Sequence, residues 1–311
     1  MAMKQYMAPL QSYTTSFYRK AHALTYGCMN KYFTPFFEDA DVELCTLKAH
    51  PELSTAINED LNIIPQIATN SGDSIVNFAT IVKQLGYHEI NLNMGCPFPM
   101  LVKRNKGGGL LLHPELITQL LNDFYAKTTD IKLSVKMRLG TSSIDQGRDV
   151  VQLLNQFPIE ELIIHPRLVT QKYSGDVNWG EFQHLCSFSQ HTIIANGDIN
   201  SPNDAEAIKQ LQNIDTIMLG RGLLTQPHLH LLIEDKKETF PSIFSLHHHF
   251  FNLITTHFKD WNQAFNHLMS FWHYPLQVNQ ELKRLLRKLK KHNKPDTYQQ
   301  WLLQLQNIYP N

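Results

Sequence analysis

The chain has 311 residues, 28 Lys+Arg against 28 Asp+Glu, and four cysteines, which stand at positions 28, 45, 96 and 186 with no CxxC pair and no histidines at zinc-finger spacing. That length supplies a core that needs no staples, so neither a disulfide framework nor a metal site is indicated, and the cysteines other than Cys96 are expected as small buried hydrophobes. MAMKQYMAPLQSY at the start lacks the continuous apolar core of a signal peptide, and no stretch approaches about eighteen uninterrupted apolar residues, so the expectation is a soluble, cytoplasmic protein with no membrane partner.

In chain order, eight β-branched or apolar runs read as strands: KQYMAPL (4–10), NKYFTP (30–35), NIIPQIA (62–68), EINLNMG (89–95), LSVKMRLG (133–140), ELIIHPR (161–167), TIIANGD (192–198) and DTIMLGR (215–221). Amphipathic segments long enough for helices lie between most of them, such as SIVNFATIVKQLG (74–86), PELITQLLNDFYAK (114–127) and SPNDAEAIKQLQN (201–213), the last opened by a Ser-Pro suited to an N-cap and first turn. Eight β/α units predict a closed (β/α)₈ TIM barrel, for which about 250 residues is typical. An open doubly wound sheet would want a GxGxxG after its first strand, and none is there.

After EDKKETFP (234–241) the pattern turns helical. HHHFFNLITTHFKDWNQAFNHLMSFWHY (247–274), NQELKRLLRKLKKHNK (279–294) and TYQQWLLQLQNIY (297–309) predict a bundle of three or four helices, giving a barrel over 1–240 and a helical domain over 241–311. Residues 241–311 hold eight Lys+Arg against three Asp+Glu, leaving 20 against 25 for 1–240, so a basic module is joined to a mildly acidic one. Leu282, Leu285, Leu286 and Leu289 make one apolar stripe. Lys283, Arg284, Arg287, Lys288, Lys290, Lys291 and Lys294 take the remaining circumference, which reads equally as a solvated face or a phosphate-binding one. The three histidines at 247–249 point in different directions on a helix and do not form a ligand set.

Polar residues cluster where the strands end, the face on which barrels carry their chemistry: Gln66, Asn93 and Cys96, Lys136 and Arg138, His165 and Arg167, Asn196 and Asp198, Gly220 and Arg221. The glycine corners ANGDIN and LGRGLL follow strands seven and eight, where barrels frequently hold a phosphate, and Arg221 offers a forked donor set. Lys136 and His165 suit a flavin, as a cation at the pyrimidine edge and a ring donor, and Gln66 matches its amide-like edge. Seen singly, each is equally a surface lysine, a core histidine or a turn. Cys96 differs, because it follows Gly95 and precedes Pro97 where strand four opens into its loop, and a thiol there faces the pocket. GGGLLL (107–112) is expected as a flexible stretch that makes room for a bulky substrate.

NLNMGCP, GGGLLLHPEL, VKMRLG, HPRLVTQKYSGDVNW, ANGDI and MLGRGLL, in this order and spacing, resemble the tRNA-dihydrouridine synthase family across residues 5 to about 230. The basic helical end is similar in size and character to that family's tRNA-binding domain. The resemblance implies a monomeric FMN-dependent barrel enzyme that reduces the C5=C6 bond of a uridine in the tRNA D-loop, with NADPH as reductant. By motif, Cys96 is the general acid toward C5 while hydride passes to C6. Pro9, Leu10, Gln11, Gln66, Lys136, His165, Asn196, Gly197, Asp198, Gly220 and Arg221 fall at FMN positions, and Asn93, Arg138 and Tyr173 fall where the family holds the uracil. The chain departs from the family at Leu10, at HPRLV in place of His-Gly-Arg-Thr, and at Phe98-Pro99. Two other readings stay open: a small-molecule flavin reductase of the dihydropyrimidine or dihydroorotate type, and a catalytically inactive RNA-binding relative.

Overall fold

A computed structural model describes residues 3–39, 43–211, 214–235, 239–277 and 280–309. The end of the 201–213 segment, the middle of the 234–241 stretch and the first residue of the 279–294 segment lie outside the described residues. All eight strands form: β1 (Lys4–Met7), β2 (Lys31–Phe37), β3 (Ile63–Ile67), β4 (Glu89–Met94), β5 (Lys132–Arg138), β6 (Glu161–His165), β7 (Thr192–Asn196) and β8 (Thr216–Leu219). They pair in parallel and in sequence order, and β1 closes on β8. The fold is therefore a (β/α)₈ barrel.

Four of the strands stop at a proline or a glycine. Pro166 follows β6, and Gly95, Gly197 and Gly220 stand just past β4, β7 and β8. Proline cannot donate to the next ladder bond, and glycine lets the backbone turn. The helices around the barrel are α1 (Ser16–Tyr26), α2 (Leu44–Ala49), α3 (Gly72–Gln84), α4 (Pro99–Lys103), α5 (Pro114–Lys127), α6 (Ile144–Leu154), α7 (Trp179–Phe188), α8 (Pro202–Lys209), α9 (Arg221–Thr225) and α10 (Leu229–Ile233). Several carry the predicted start signals. Ser201 caps α8 by accepting the N–H of Asp204, with Pro202 in the first turn.

The period of two along each strand decides what fills the barrel. Tyr6, Phe33, Ile64, Ile163, Ile194 and Met218 form a small inner core, separate from the larger core between strands and helices. At the amino ends of the strands Lys31 bridges Glu89 at 2.8 Å and Glu161 at 2.9 Å, while the Tyr6 hydroxyl donates to Glu161 at 2.6 Å. Two apposed carboxylates and a lysine thus close the bottom, and the inward positions at the carboxyl ends are left to line a pocket.

Helices α11 (Ile243–His257), α12 (Trp261–Phe271), α13 (Gln280–Leu289) and α14 (Pro295–Ile308) follow. They join the barrel through α1, where Tyr18 meets Phe250 and Phe271, and Phe17 meets Phe258. His247 is buried and shares the Tyr298 hydroxyl with the Trp272 indole N–H, whereas His249 turns to Thr25 and His248 to Asn252. The histidine triplet is a packing feature. Among the described residues no group of three or more His, Cys, Asp and Glu is placed to hold a metal, and no helix is long and apolar enough to cross a membrane. Cys28 and Cys45, expected inside, are exposed, and Cys186 is only part-buried; no disulfide or apolar pocket claims the first two.

Candidate active site

Strand parity and register bring the predicted residues together. Asn93 of β4 pairs with Lys136 of β5, and Arg138 of β5 with His165 of β6. All four side chains take the inward parity at the carboxyl end, where with Asn196, Met218 and the loops beyond β1, β4, β6, β7 and β8 they line one cleft. Its empty space, open mouth included, is about 900 Å³. Pro9, Leu10, Gln11, Asn93, Cys96, Lys136, Arg138, His165, Tyr173, Asn196, Gly197, Asp198, Gly220 and Arg221 all line it.

Gln66 does not. Its register partner is Asn91, one layer below Asn93, and its side chain is wholly buried. Its Nε2 donates to Asn91 Oδ1 at 2.7 Å and its Oε1 accepts from Asn93 Nδ2 at 2.8 Å. The expected place of Gln66 at the cleft surface is corrected: it lies one layer down, with one partner at each end of its amide and a second N–H and lone pair left over. The direction of this chain is set by the backbone, because Asn93 Oδ1 accepts the N–H groups of Gly95 at 3.1 Å and Cys96 at 2.9 Å. That fixes Asn93 Nδ2 as a donor, with one N–H given to Gln66 and a second left over.

The GGG run is corrected as well. Gly107–Leu112 forms a 3₁₀ helix, and Gly107 to Leu111 are buried. A Cβ on Gly108 would stand 2.4 Å from Val169 Cγ2, and one on Gly109 would stand 2.5 Å from the Val102 carbonyl. The glycines serve close approach, and the N–H of Gly108 holds the Cys96 carbonyl at 3.0 Å. Gly108→Ala is expected to destabilise by about 1–3 kcal/mol through overpacking, read as a lower denaturant midpoint at unchanged slope.

Cys96 is half-buried in the pocket wall. Burial pushes its thiol up, against the opposing influence of the Phe98 N–H that its sulfur accepts and of the Arg138 and Lys136 charges. The group is thus protonated at neutral pH, with its own S–H unspent. Lys136 donates to Asn196 Oδ1 at 2.8 Å, and Asn196 Nδ2 is anchored on the Met218 carbonyl at 2.8 Å. Burial, then the charge of Arg138, pushes the Lys136 ammonium down to about 7.

His165 is buried, and its Nε2 lies 3.1 Å from Arg167 Nη1. A guanidinium only donates, so Nε2 accepts and the proton of the neutral ring sits on Nδ1. Burial first, then the cations Arg138, Lys136, Arg167 and Arg221, hold this imidazole well below its ordinary range. Arg167 also takes both oxygens of Asp198 and the Gly175 carbonyl. Burial alone would raise the Asp198 carboxyl, but hydrogen bonds and charge from Arg167 and Arg221 keep it below the usual range. Arg167 stood among the polar residues at strand ends without a role; the signal that could have found it is the rule that a buried arginine needs an acidic partner, here Asp198.

The phosphate expectation is altered in one respect. Arg221 Nη2 donates to Asp198 at 2.6 Å, and its guanidinium stacks 4.6 Å above the Tyr173 ring, with Arg138 5.4 Å from the same ring. The loops after β7 and β8 do meet, since a Cβ on Gly222 would lie 2.3 Å from the Ile199 carbonyl, while Gly220 has only Ala8 within van der Waals reach of such a group. The open space over Gly220 and the orphan N–H groups that begin α9 fit a phosphate. Ala8, Leu10, Phe36 and Met218 offer an apolar floor for a flat ring beside the Lys136, Arg138 and His165 donors. The donor set fits a flavin mononucleotide.

Fold and pocket together define a (β/α)₈-barrel protein with a cofactor-type cleft at its carboxyl end and a protonated thiol in the wall. A sequence model of the family described as Dihydrouridine synthase (Dus) matches residues 6–307, and the chain belongs to that family. It is 27% identical over 229 residues to a tRNA-dihydrouridine(16) synthase of Vibrio vulnificus (strain CMCP6), covering 73% of this chain and 63% of that protein. It is 31% identical over 170 residues to tRNA-dihydrouridine synthase B of Pasteurella multocida (strain Pm70), covering 54% of this chain and 51% of that protein. The matched region thus spans less than two thirds of either relative. A structure of histamine dehydrogenase from Rhizobium sp. 4-9 shares the fold, with a TM-score of 0.59 at 12% identity over 75% of this chain and 45% of that one.

Proposed function

We propose that this protein is an FMN-dependent tRNA-dihydrouridine synthase that reduces the C5=C6 bond of a D-loop uridine, with NADPH as reductant, acting as a cytoplasmic monomer. The observation that carries the reading is a half-buried thiol in the wall of the same cleft as Lys136 and His165, where burial favours its protonated form. Bound FMN would supply the hydride that reaches C6 of the uracil. Cys96 delivers the proton to C5, so the uracil gains one hydride and one proton, and the thiolate left behind is reprotonated from solvent. Asn93 offers its remaining amide N–H, and Arg138 its Nη2, to the base's carbonyl and imide edge. Arg138 is aimed by the Gly95 and Leu168 carbonyls, which take Nε and Nη1 at 3.0 Å each.

Lys136, Asn196, Gly197, Asp198, Gly220 and Arg221 would hold the FMN, and Lys136 adds a titration. An anion favours the charged ammonium, so affinity is full below pH about 7 and is lost as pH rises through the higher pKa of the bound state. FMN binding followed by flavin fluorescence from pH 6 to 9 is expected to weaken up to about tenfold per pH unit above 7, and Lys136→Met is expected to remove that dependence.

A basic helix face supports tRNA over a small molecule. Leu282, Leu285 and Leu289 of α13 are buried, while Lys283, Arg284, Arg287, Lys288, Lys290, Lys291 and Lys294 are exposed and, among the described residues, make no ion pair. The helix begins beyond the turn Pro275–Gln277, next to Tyr274, which packs edge-on against Tyr13 at 4.9 Å and lies within electrostatic reach of Tyr173 and Arg221. We take 1–240 as the catalytic barrel and 241–311 as the RNA-binding domain. In a strain deleted for this gene, nucleoside mass spectrometry of tRNA is expected to lack dihydrouridine at one or a few D-loop sites. The intact gene restores it; unchanged tRNA, with no second synthase present, refutes the assignment.

A further inference from the structure

Eight large apolar side chains are exposed among the described residues; one of them, Tyr173, lines the cleft, and two, Phe98 and Met100, follow directly on the lining residues Cys96 and Pro97. Phe98 is 53% and Met100 61% exposed. The segment that carries them is rigid. Pro97 and Pro99 bracket Phe98, whose backbone sits at φ −64° and ψ 122°, the extended conformation imposed on a residue before proline. Its N–H is held by the Cys96 sulfur and its carbonyl by the N–H groups of Leu101 and Val102. Leu101 is fully buried, Arg104 pairs with Glu38 at 2.7 Å, and the buried Lys106 pairs with Asp39 at 2.6 Å. A fixed strap therefore turns two apolar groups outward within four residues of the reactive thiol. Lys103 and Arg104 are exposed beside them.

We infer that Phe98 and Met100 are a wedge that stacks in the gap an extruded uridine leaves in the folded RNA. The inference rests on the proposed function and adds to it the groups that hold the RNA open. A base taken out of its stack leaves two apolar faces exposed to water. Proteins that distort nucleic acids cover such faces with Phe, Leu, Ile, Met or Pro side chains. Here the position is right, because a uracil that meets Cys96 leaves its neighbours at the rim two to four residues further on. The charge is right too, since the exposed Lys103 follows the wedge and can meet a phosphate. Preorganisation by the two prolines keeps the ordering entropy of the insertion small.

The test compares a folded tRNA transcript with a short unstructured oligonucleotide containing the same uridine. Truncating an aromatic stacked on a base costs roughly 5- to 150-fold. Phe98→Ala with Met100→Ala is expected to lower kcat/KM on the folded tRNA by about that factor and leave the unstructured substrate within about twofold. Phe98→Trp is expected to retain wild-type behaviour. A 2-aminopurine placed next to the target uridine, dim through stacking in the free RNA, is expected to stay dim on binding wild-type protein and to brighten with the double variant, which leaves the gap unfilled. Both side chains lie outside the core, and an unchanged melting temperature and flavin spectrum verify folding.

A folded-to-unstructured ratio equal to wild type overturns the wedge. So does an unchanged ratio together with a dimer that the double variant abolishes, which would make the patch a contact between copies of the chain. Failure of the wild-type protein to reduce uridine in either RNA instead sinks the proposed function, and is seen before any variant is compared.

Discussion

Cys96→Ala is expected to lower the single-turnover rate of uridine reduction by about 10²–10⁴-fold, the usual contribution of a positioned general acid, while the protein stays yellow. The two halves of this result have separate causes. The sulfur spends its acceptor capacity on the Phe98 N–H, and burial holds its proton in place at neutral pH. Alanine removes the only thiol in the cleft and leaves Asn93, Lys136 and Arg138 where they are, because Asn93 is tied to the backbone N–H of residue 96 and not to its side chain. The cations and glycine corners that would hold FMN lie on β5 to β8 and make no hydrogen bond to the thiol. Cys96→Ser tests the acidity: a serine hydroxyl has similar shape but gives up its proton far less readily, so it is expected to behave nearly as alanine. A colourless but folded Cys96→Ala protein would assign the thiol to the cofactor instead.

The second large effect concerns the RNA. Changing Lys283, Arg284, Arg287 and Lys288 together to Gln is expected to weaken tRNA binding by about 10³-fold near 0.1 M salt and to make the slope of log K against log salt shallower by about 3. This follows if each of the four meets a phosphate, since every lost contact removes roughly 0.7–0.9 from the slope. The substitutions spare Leu282, Leu285 and Leu289, which bury the opposite face of α13, so the helix content of the protein is expected to be unchanged by circular dichroism. FMN content is expected to be unchanged too. A salt slope identical to wild type would make the basic face a solvated one and move the RNA path elsewhere.

The sequence disclosed the barrel because its strands are short apolar runs cut by proline and glycine, and those residues act locally. It disclosed most of the cleft for the same reason: a polar residue at the end of a buried strand of the right parity has nowhere to point but the barrel mouth. The depth of Gln66 was not legible because it depends on register, and pairing with Asn91 sets it one layer below Asn93. Glycines 107 to 109 were misread because composition does not separate a glycine needed for freedom from one needed for contact; Val169 and Val102, distant in sequence or turned by the fold, make the difference. Arg167 gained a role only through Asp198, which comes from the next strand. Short helices such as α2, α4, α9 and α10 hold too few residues to show a period.

The central claim is that the cleft bounded by Cys96, Lys136 and His165 reduces a uridine of tRNA. Its most direct test is to incubate purified protein with an unmodified tRNA transcript, FMN and NADPH, and to analyse the digested nucleosides by mass spectrometry. The account predicts dihydrouridine at a D-loop position with the wild-type protein and its near absence with Cys96→Ala. A transcript that returns unreduced from active, flavin-loaded wild-type protein would contradict it.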